Sequence, residues 1–221
     1  RMGVRVLRHG DNRVTGQYGI LALDHASIGP DDSPAQAAKR IGEMVRRAAE
    51  RRNPEIEFCN EWNMSAKSVE EKRRRARRYV ELLRELKKVR DEHDPELKII
   101  GMGMAGADTA FLKLMAENGI EMGRKGPAFQ TNVDGVAMHP GRGNMTPDYE
   151  GDGWTYLGAI RRWRKAMDEL GIKTMHLSEV YAATCPNDSW KDSYRHAAEN
   201  VILTYAIGLA EGAESIQFYQ L

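Results

Sequence analysis

Cysteine is scarce in this 221-residue chain: Cys59 and Cys185 alone make no disulfide framework, and their places in a strand and a loop give no metal-ligand spacing. No apolar run approaches the roughly 20 residues of a membrane-spanning helix. Residues 1–12 carry no signal-peptide pattern, and a start on Arg1 rather than Met leads us to expect a processed or truncated N-terminus. An excess of one charge is missing too. Thirty-three basic against thirty-two acidic residues leave a net charge of +1, so no long-range field favours nucleic acid, anionic membrane or a polyanionic substrate. Low-complexity segments and interdomain linkers are likewise absent. With 41% hydrophobic and 29% charged residues, the chain reads as a single domain, 1–221, able to bury a full core.

What is present is a repeated alternation of strand and helix patterns. Ser33-Pro34-Ala35-Gln36 opens a helix with a capping box and proline at its first position, and Ala38, Ile41, Val45 and Ala48 share a face that should end near Asn53-Pro54. Strand 55–61 follows. Ser68 and Glu71 then cap a long helix reaching about His93, whose Ala76, Tyr79, Val80, Leu83, Leu86 and Val89 stand at helical spacing. Its arginine run, 73–78, lies opposite that stripe and reads as a solvated outer face. Strand 97–101, helix 109–118, strand 133–138, helix 155–170, strand 173–179, helix 193–209 and strand 214–221 complete the series. The last helix is expected to pack Tyr194, Ala197, Val201, Ile202, Tyr205 and Leu209. Such a series predicts a parallel sheet covered by helices. Residues 4–8 and 18–24 also look like strands, but 10–17 is too short for a crossover helix.

Two glutamates stand at downstream strand ends: Glu61 in Cys59-Asn60-Glu61-Trp62 and Glu179 in Leu177-Ser178-Glu179-Val180. Either alone reads as a strand cap or an arginine's partner. In a (β/α)₈ barrel, however, all strands end at one face and residues distant in sequence converge there. Alternation places Glu57, Cys59 and Glu61 on one face of their strand and Met175, Leu177 and Glu179 on one face of theirs, so both terminal glutamates aim into the mouth. Two carboxylates across a cleft are the minimal machinery for cleaving a glycosidic bond. Trp62 and Tyr181 beside them suit stacking on sugar faces.

The chain thereby resembles the clan A retaining glycoside hydrolases, (β/α)₈ barrels whose acid/base glutamate follows an asparagine at the end of strand four and whose nucleophile ends strand seven. Asn60-Glu61 matches the first element and Glu179 the second, three strands later; the likeness covers roughly residues 18–221. It implies a carbohydrate substrate and no metal or cofactor. It also implies that Asn60 binds the hydroxyl beside the anomeric carbon, that His139 touches the nucleophile or sugar, and that His25 lines the site. The tryptophan platform common on strand eight is replaced by Phe218 and Tyr219, with Tyr219 taken as the sugar floor. The first strand region and the closing helix are not evident, so an incomplete TIM barrel, completed by further polypeptide, is expected.

Three rival readings attach to other features. Gly101-Met102-Gly103-Met104-Ala105-Gly106 is a literal G-x-G-x-x-G after a strand and before a helix, but Glu121, the acidic residue about 20 positions on, ends no credible strand; we read 101–106 as a mobile loop. A metal-dependent barrel would draw on Asp24, His25, His139, His176 and Glu179. His176 and Glu179 point to opposite strand faces, with His176 packing outward, so they do not share one ion. A barrel that binds glycans without turnover is the non-enzymatic alternative.

Overall fold

A computed structural model of the chain describes residues 21–22, 28–50, 55–64, 66–119, 133–141, 146–151, 155–180 and 194–218. Six parallel strands form one sheet in sequence order: β1 Leu21–Ala22, β2 Glu55–Glu57, β3 Lys98–Ala105, β4 Gly135–His139, β5 Met175–Val180 and β6 Ala213–Phe218. Between them run α1 Pro34–Glu50, α2 Val69–His93, α3 Thr109–Glu117, α4 Tyr156–Glu169 and α5 Tyr194–Ala210. Parallel neighbours in strict sequence order need crossovers of one hand, which place every helix on the same side of the sheet. Consecutive helices accordingly pack on one another, α1 on α2 through to α4 on α5. This is the α/β architecture of an incomplete TIM barrel; among the described residues no pairing joins β6 back to β1. None of the described helices is long and apolar enough to cross a membrane.

The expected capping box at Ser33 is present, and at Ser68 the N-cap half forms while Glu71 Oε2 accepts from the Lys67 amide in place of the Ser68 amide. Ser33 Oγ accepts from the Gln36 amide while Gln36 Oε1 accepts from the Ser33 amide, and Ser68 Oγ accepts from the Glu71 amide at the start of α2. The buried faces of α1 (Ala37, Ile41, Met44, Val45, Ala48) and α2 (Ala76, Tyr79, Val80, Leu82, Leu83, Leu86) match the apolar stripes, apart from Ala38, which is exposed. In α5 the stripe differs. Ile202 and Leu209 are exposed, and Asn200, Thr204 and Gly208 face the sheet instead. The reason is steric: a Cβ on Gly208 would lie 2.5 Å from Ile216 Cδ1 and 2.9 Å from Tyr156 Oη, so only the small-residue face can approach β5 and β6. The core between sheet and helices is filled by Trp163, Tyr79, Tyr156, Phe58 and Phe111, all fully buried. Tyr79 also ties β2 to β3, its hydroxyl donating to Phe58 O (3.2 Å) and accepting from Met102 N (2.7 Å).

Two corrections concern the strands that lead to the glutamates. Residues 101–105 are not a loop but the continuation of β3, so the glycine pattern provides no phosphate-binding turn. Gly103 instead makes room: a Cβ there would lie 2.5 Å from Glu57 Oε1 and closer still to the His139 ring. Regular alternation also fails beyond Glu57. Cys59 (φ 64°) and Glu61 (φ 51°) adopt left-handed backbone conformations, so the parity argument does not carry through to Glu61.

Gly103→Ala should therefore destabilise the fold by about 1–3 kcal/mol, the usual cost of overpacking. Urea unfolding of the variant against the parent chain measures this, and unchanged stability would mean that the side chains around Gly103 are free to withdraw.

Candidate active site

Glu61 is held at both of its backbone groups. Its amide donates to Gly103 O (2.8 Å), within the isolated parallel bridge that pairs Asn60 with Gly103, and its carbonyl accepts from Met64 N (2.9 Å). Asn63 then locks the turn to the end of β3, its Nδ2 donating to Ala105 O (2.9 Å) while its Oδ1 accepts from Ala105 N (3.1 Å). From α2, Arg75 donates to Trp62 O (3.0 Å) and Met64 O (2.8 Å). A left-handed backbone at two non-glycine residues costs of order 1–3 kcal/mol each. These hydrogen bonds oppose that cost and fix the glutamate's direction.

On β5 the faces are the reverse of the expected ones. Leu177 Cδ1 lies against Gly208 of α5, on the helix side, whereas His176 Nδ1 bonds Ser215 Oγ (2.8 Å) and Ser178 Oγ bonds Glu57 Oε1 (3.1 Å) on the other face. His176 thus packs inward, correcting the outward placement. Glu179 would follow Leu177 toward the helices if alternation held, but the register against β6 shifts between Leu177 and Val180, and its carboxylate reaches the site.

His139, the last residue of β4, joins the two glutamates. Its Nδ1 lies 2.7 Å from Glu61 Oε1 and 3.7 Å from Glu179 Oε2, and its Nε2 lies 3.2 Å from Ser178 Oγ and 3.8 Å from Glu57 Oε1. One carboxylate oxygen of Glu61, one of Glu179 and a ring nitrogen of His139 all fall within 4.8 Å of one another. Such closeness also raises the question of a cation. Two ligands at about 2.0–2.2 Å from one ion stand some 3 Å or more apart, so the 2.7 Å contact is the spacing of a hydrogen bond rather than of co-ligands.

The other sequence candidates divide. Asn60 is half-buried beside Glu61. Trp62 is 4% exposed, edge-on to Tyr79 with its indole nitrogen donating to Ile28 O, so it is a core residue and not an open platform. His25, Asp24, Glu121, Tyr181, Cys185 and Tyr219 lie outside the described residues. Burial, with Asp32 adding to it, pushes the Cys59 thiol well above its ordinary value, which makes it a small apolar group.

No protein-family profile and no curated protein matches this chain. Solved structures do. A glucosidase from Croceicoccus marinus superposes with a TM-score of 0.64 at 14% identity over 95% of this chain and 44% of its own. The β-glucuronidase 2 of Bacteroides uniformis, covalently bound to cyclophellitol-6-carboxylate aziridine, gives 0.67 at 12% identity over 99% of this chain and 26% of its own. The GH53 catalytic domain of Ignisphaera aggregans gives 0.58 at 14% identity over 93% and 63%. The chain is similar in fold to glycoside hydrolase barrels. It spans between 26% and 63% of the length of these three structures.

Sequence reasoning passed over Glu57, Ser178, Asn63 and Arg75. For Glu57 a signal existed: a carboxylate inside a strand otherwise fit for burial needs a partner. Ser178, Asn63 and Arg75 act on other segments of the chain, and nothing local marks them.

His176 carries a testable consequence of this polar interior. Burial, only partly offset by Glu57, lowers its pKa from 6.5 to about 4. The unfolded chain then binds the proton first, so stability is complete above about pH 6.5 and falls as pH drops toward 4, by up to the order of 3 kcal/mol. His176→Asn, which keeps a partner for Ser215, should flatten this part of the stability–pH curve in urea unfolding between pH 7 and 4.5; an unchanged slope would assign the acid sensitivity elsewhere.

Proposed function

We propose that this chain carries the active site of a retaining glycoside hydrolase acting on β-linked, or equivalently configured, glycosides or polysaccharides. The observation that carries the reading is the approach of one carboxylate oxygen each of Glu61 and Glu179 and a ring nitrogen of His139 to within 4.8 Å of one another, at the downstream ends of β2, β4 and β5 of one parallel sheet. Retaining pairs stand about 5–5.5 Å apart, whereas inverting pairs need about 6.5–9.5 Å to admit water. The fold shared with glycosidases supports the same reaction class. So does the covalent adduct of the Bacteroides uniformis β-glucuronidase 2.

In the first step the Glu61 carboxylic acid gives its proton to the glycosidic oxygen as a Glu179 oxygen attacks the anomeric carbon. The bond to the leaving group breaks with its electron pair on the protonated oxygen, and a glycosyl ester on Glu179 remains. In the second step the Glu61 carboxylate takes a proton from water, whose oxygen attacks the anomeric carbon and releases Glu179. Two inversions give net retention. Asn60, half-buried next to Glu61, is the donor we assign to the hydroxyl beside the anomeric carbon.

Glu179→Ala should abolish labelling by activated fluoro-sugars, while azide restores turnover of activated aryl glycosides as an inverted glycosyl azide. Label trapped on another carboxylate would overturn the assignment. Glu61→Ala should slow substrates that need protonation by about 10²–10⁴-fold and those with good leaving groups much less. Glycan binding without turnover of any aryl glycoside, by this chain or a longer one containing it, would favour a binding barrel.

A further inference from the structure

Below Glu61 a row of buried groups crosses three strands. Glu57 on β2 and Ser178 on β5 are each 1% exposed, and His139 on β4 is 4% exposed. Ser178 Oγ stands between Glu57 Oε1 (3.1 Å) and His139 Nε2 (3.2 Å), and His139 Nδ1 completes the row at Glu61 Oε1 (2.7 Å). We infer that Glu57 and Ser178 are positioning residues that hold a proton on His139 Nε2, so that Nδ1 and Glu61 share the proton used as the catalytic acid. The inference rests on the glycosidase reading for the use of that proton, though not for its location.

A serine hydroxyl has one proton, and an ionised carboxylate only accepts. With Ser178 donating to Glu57, its oxygen is left to accept, and the donor facing it is Nε2–H. With Glu57 ionised, the alternative direction would turn a bare Nε2 lone pair toward its carboxylate 3.8 Å away, an arrangement that repels inside a buried site; only a proton on Glu57 would permit it, and that state is the one a bare Nε2 in the ¹⁵N NMR spectrum would reveal. With Nε2 protonated, a neutral ring presents a bare Nδ1, and a bare nitrogen bonds Glu61 Oε1 only if that oxygen carries a proton. If the proton has crossed to the ring, the pair is carboxylate and imidazolium. Both forms hold the same proton. Reversal of the row would leave Nδ1–H donating to an ionised Glu61, with no acid to give.

The other groups facing the row agree. Glu179 Oε2, 3.7 Å from Nδ1, adds a negative charge that favours keeping the shared proton. His176 stays neutral because of its burial and brings no competing charge. Gly103 clears the junction, since a Cβ there would collide with both Glu57 Oε1 and the His139 ring. The row has a second use. Once Glu61 has given up its proton it faces the bare Nδ1 lone pair, which makes it a stronger base for the water of the second step.

The test combines a spectrum with kinetics. ¹⁵N NMR of the histidines in the unliganded chain should show His139 with a protonated Nε2 and a hydrogen-bonded Nδ1; a bare Nε2 with Nδ1–H overturns the inference. In Ser178→Ala the His139 signal should lose its fixed Nε2–H form. The alkaline limb of kcat/KM should move down by about one pH unit for aryl glycosides with poor leaving groups, a tenfold loss on that limb, with a smaller loss for good ones. Ser178→Thr, which restores the hydroxyl, should reverse both changes. Equal slowing of both substrate classes with an unmoved limb overturns the inference. If neither class is turned over, the glycosidase reading fails while the His139 spectrum still decides where the proton lies, and the parent spectrum and Ser178→Thr serve if Ser178→Ala does not fold.

Discussion

Gly103 does two things at once: its carbonyl receives the Glu61 amide, and its missing side chain admits Glu57 and His139 to one junction. The two functions cannot be separated. Any Cβ would displace the His139 ring, and displacing the strand to accommodate it would carry away the carbonyl that orients Glu61. The continuation of β3 to Ala105 follows from the same need, because a loop at 101–106 would present no fixed acceptor there.

Around that point the chain accepts strain and secures it from outside the sheet. Cys59 and Glu61 are left-handed, which by itself disfavours the turn. Asn63 repeats a backbone-like pair of hydrogen bonds with Ala105, and Arg75 reaches in from α2 to two consecutive-turn carbonyls. The solvated arginine face expected for 73–78 is therefore divided: Arg73 and Arg74 lie outward at 58% and 52% exposure, while Arg75, at 13%, holds the segment that bears Glu61. A helix selected for a buried stripe thus also supplies a clamp to the site.

Much of the architecture was legible because it depends on local patterns. The capping box at Ser33, the N-cap at Ser68 and helical stripes such as Ala76, Tyr79 and Val80 act within one element and leave their marks in one segment. The convergence of Glu61, His139 and Glu179 was legible because strand ends of a parallel barrel share a face. Facing within a strand was not. Parity fails where Cys59 and Glu61 turn left-handed and where the β5 register shifts, and a one-residue slip exchanges the two faces. Trp62 looked like a sugar platform from its neighbours in sequence, yet Tyr79 and Ile28, 17 and 34 positions away, decide that it is core.

The chemistry of the centre follows from its crowding by like charge. Glu57, Glu61 and Glu179 all approach one imidazole, and two unit charges about 5 Å apart repel by about 3 kcal/mol at an effective dielectric constant near 20. A site with three ionised carboxylates and a neutral ring would bear that repulsion several times over, and a proton retained on the Glu61–His139 pair relieves part of it. In the proposed reaction, attack by Glu179 would remove one of the charges that favour retention, as its carboxylate becomes an ester. In that reaction the proton would leave Glu61 for the glycosidic oxygen at the moment when the site needs it least, and the ester's hydrolysis would return the charge that calls a proton back. Both steps of the proposed double displacement would thereby be coupled through electrostatics among residues whose side chains do not all touch.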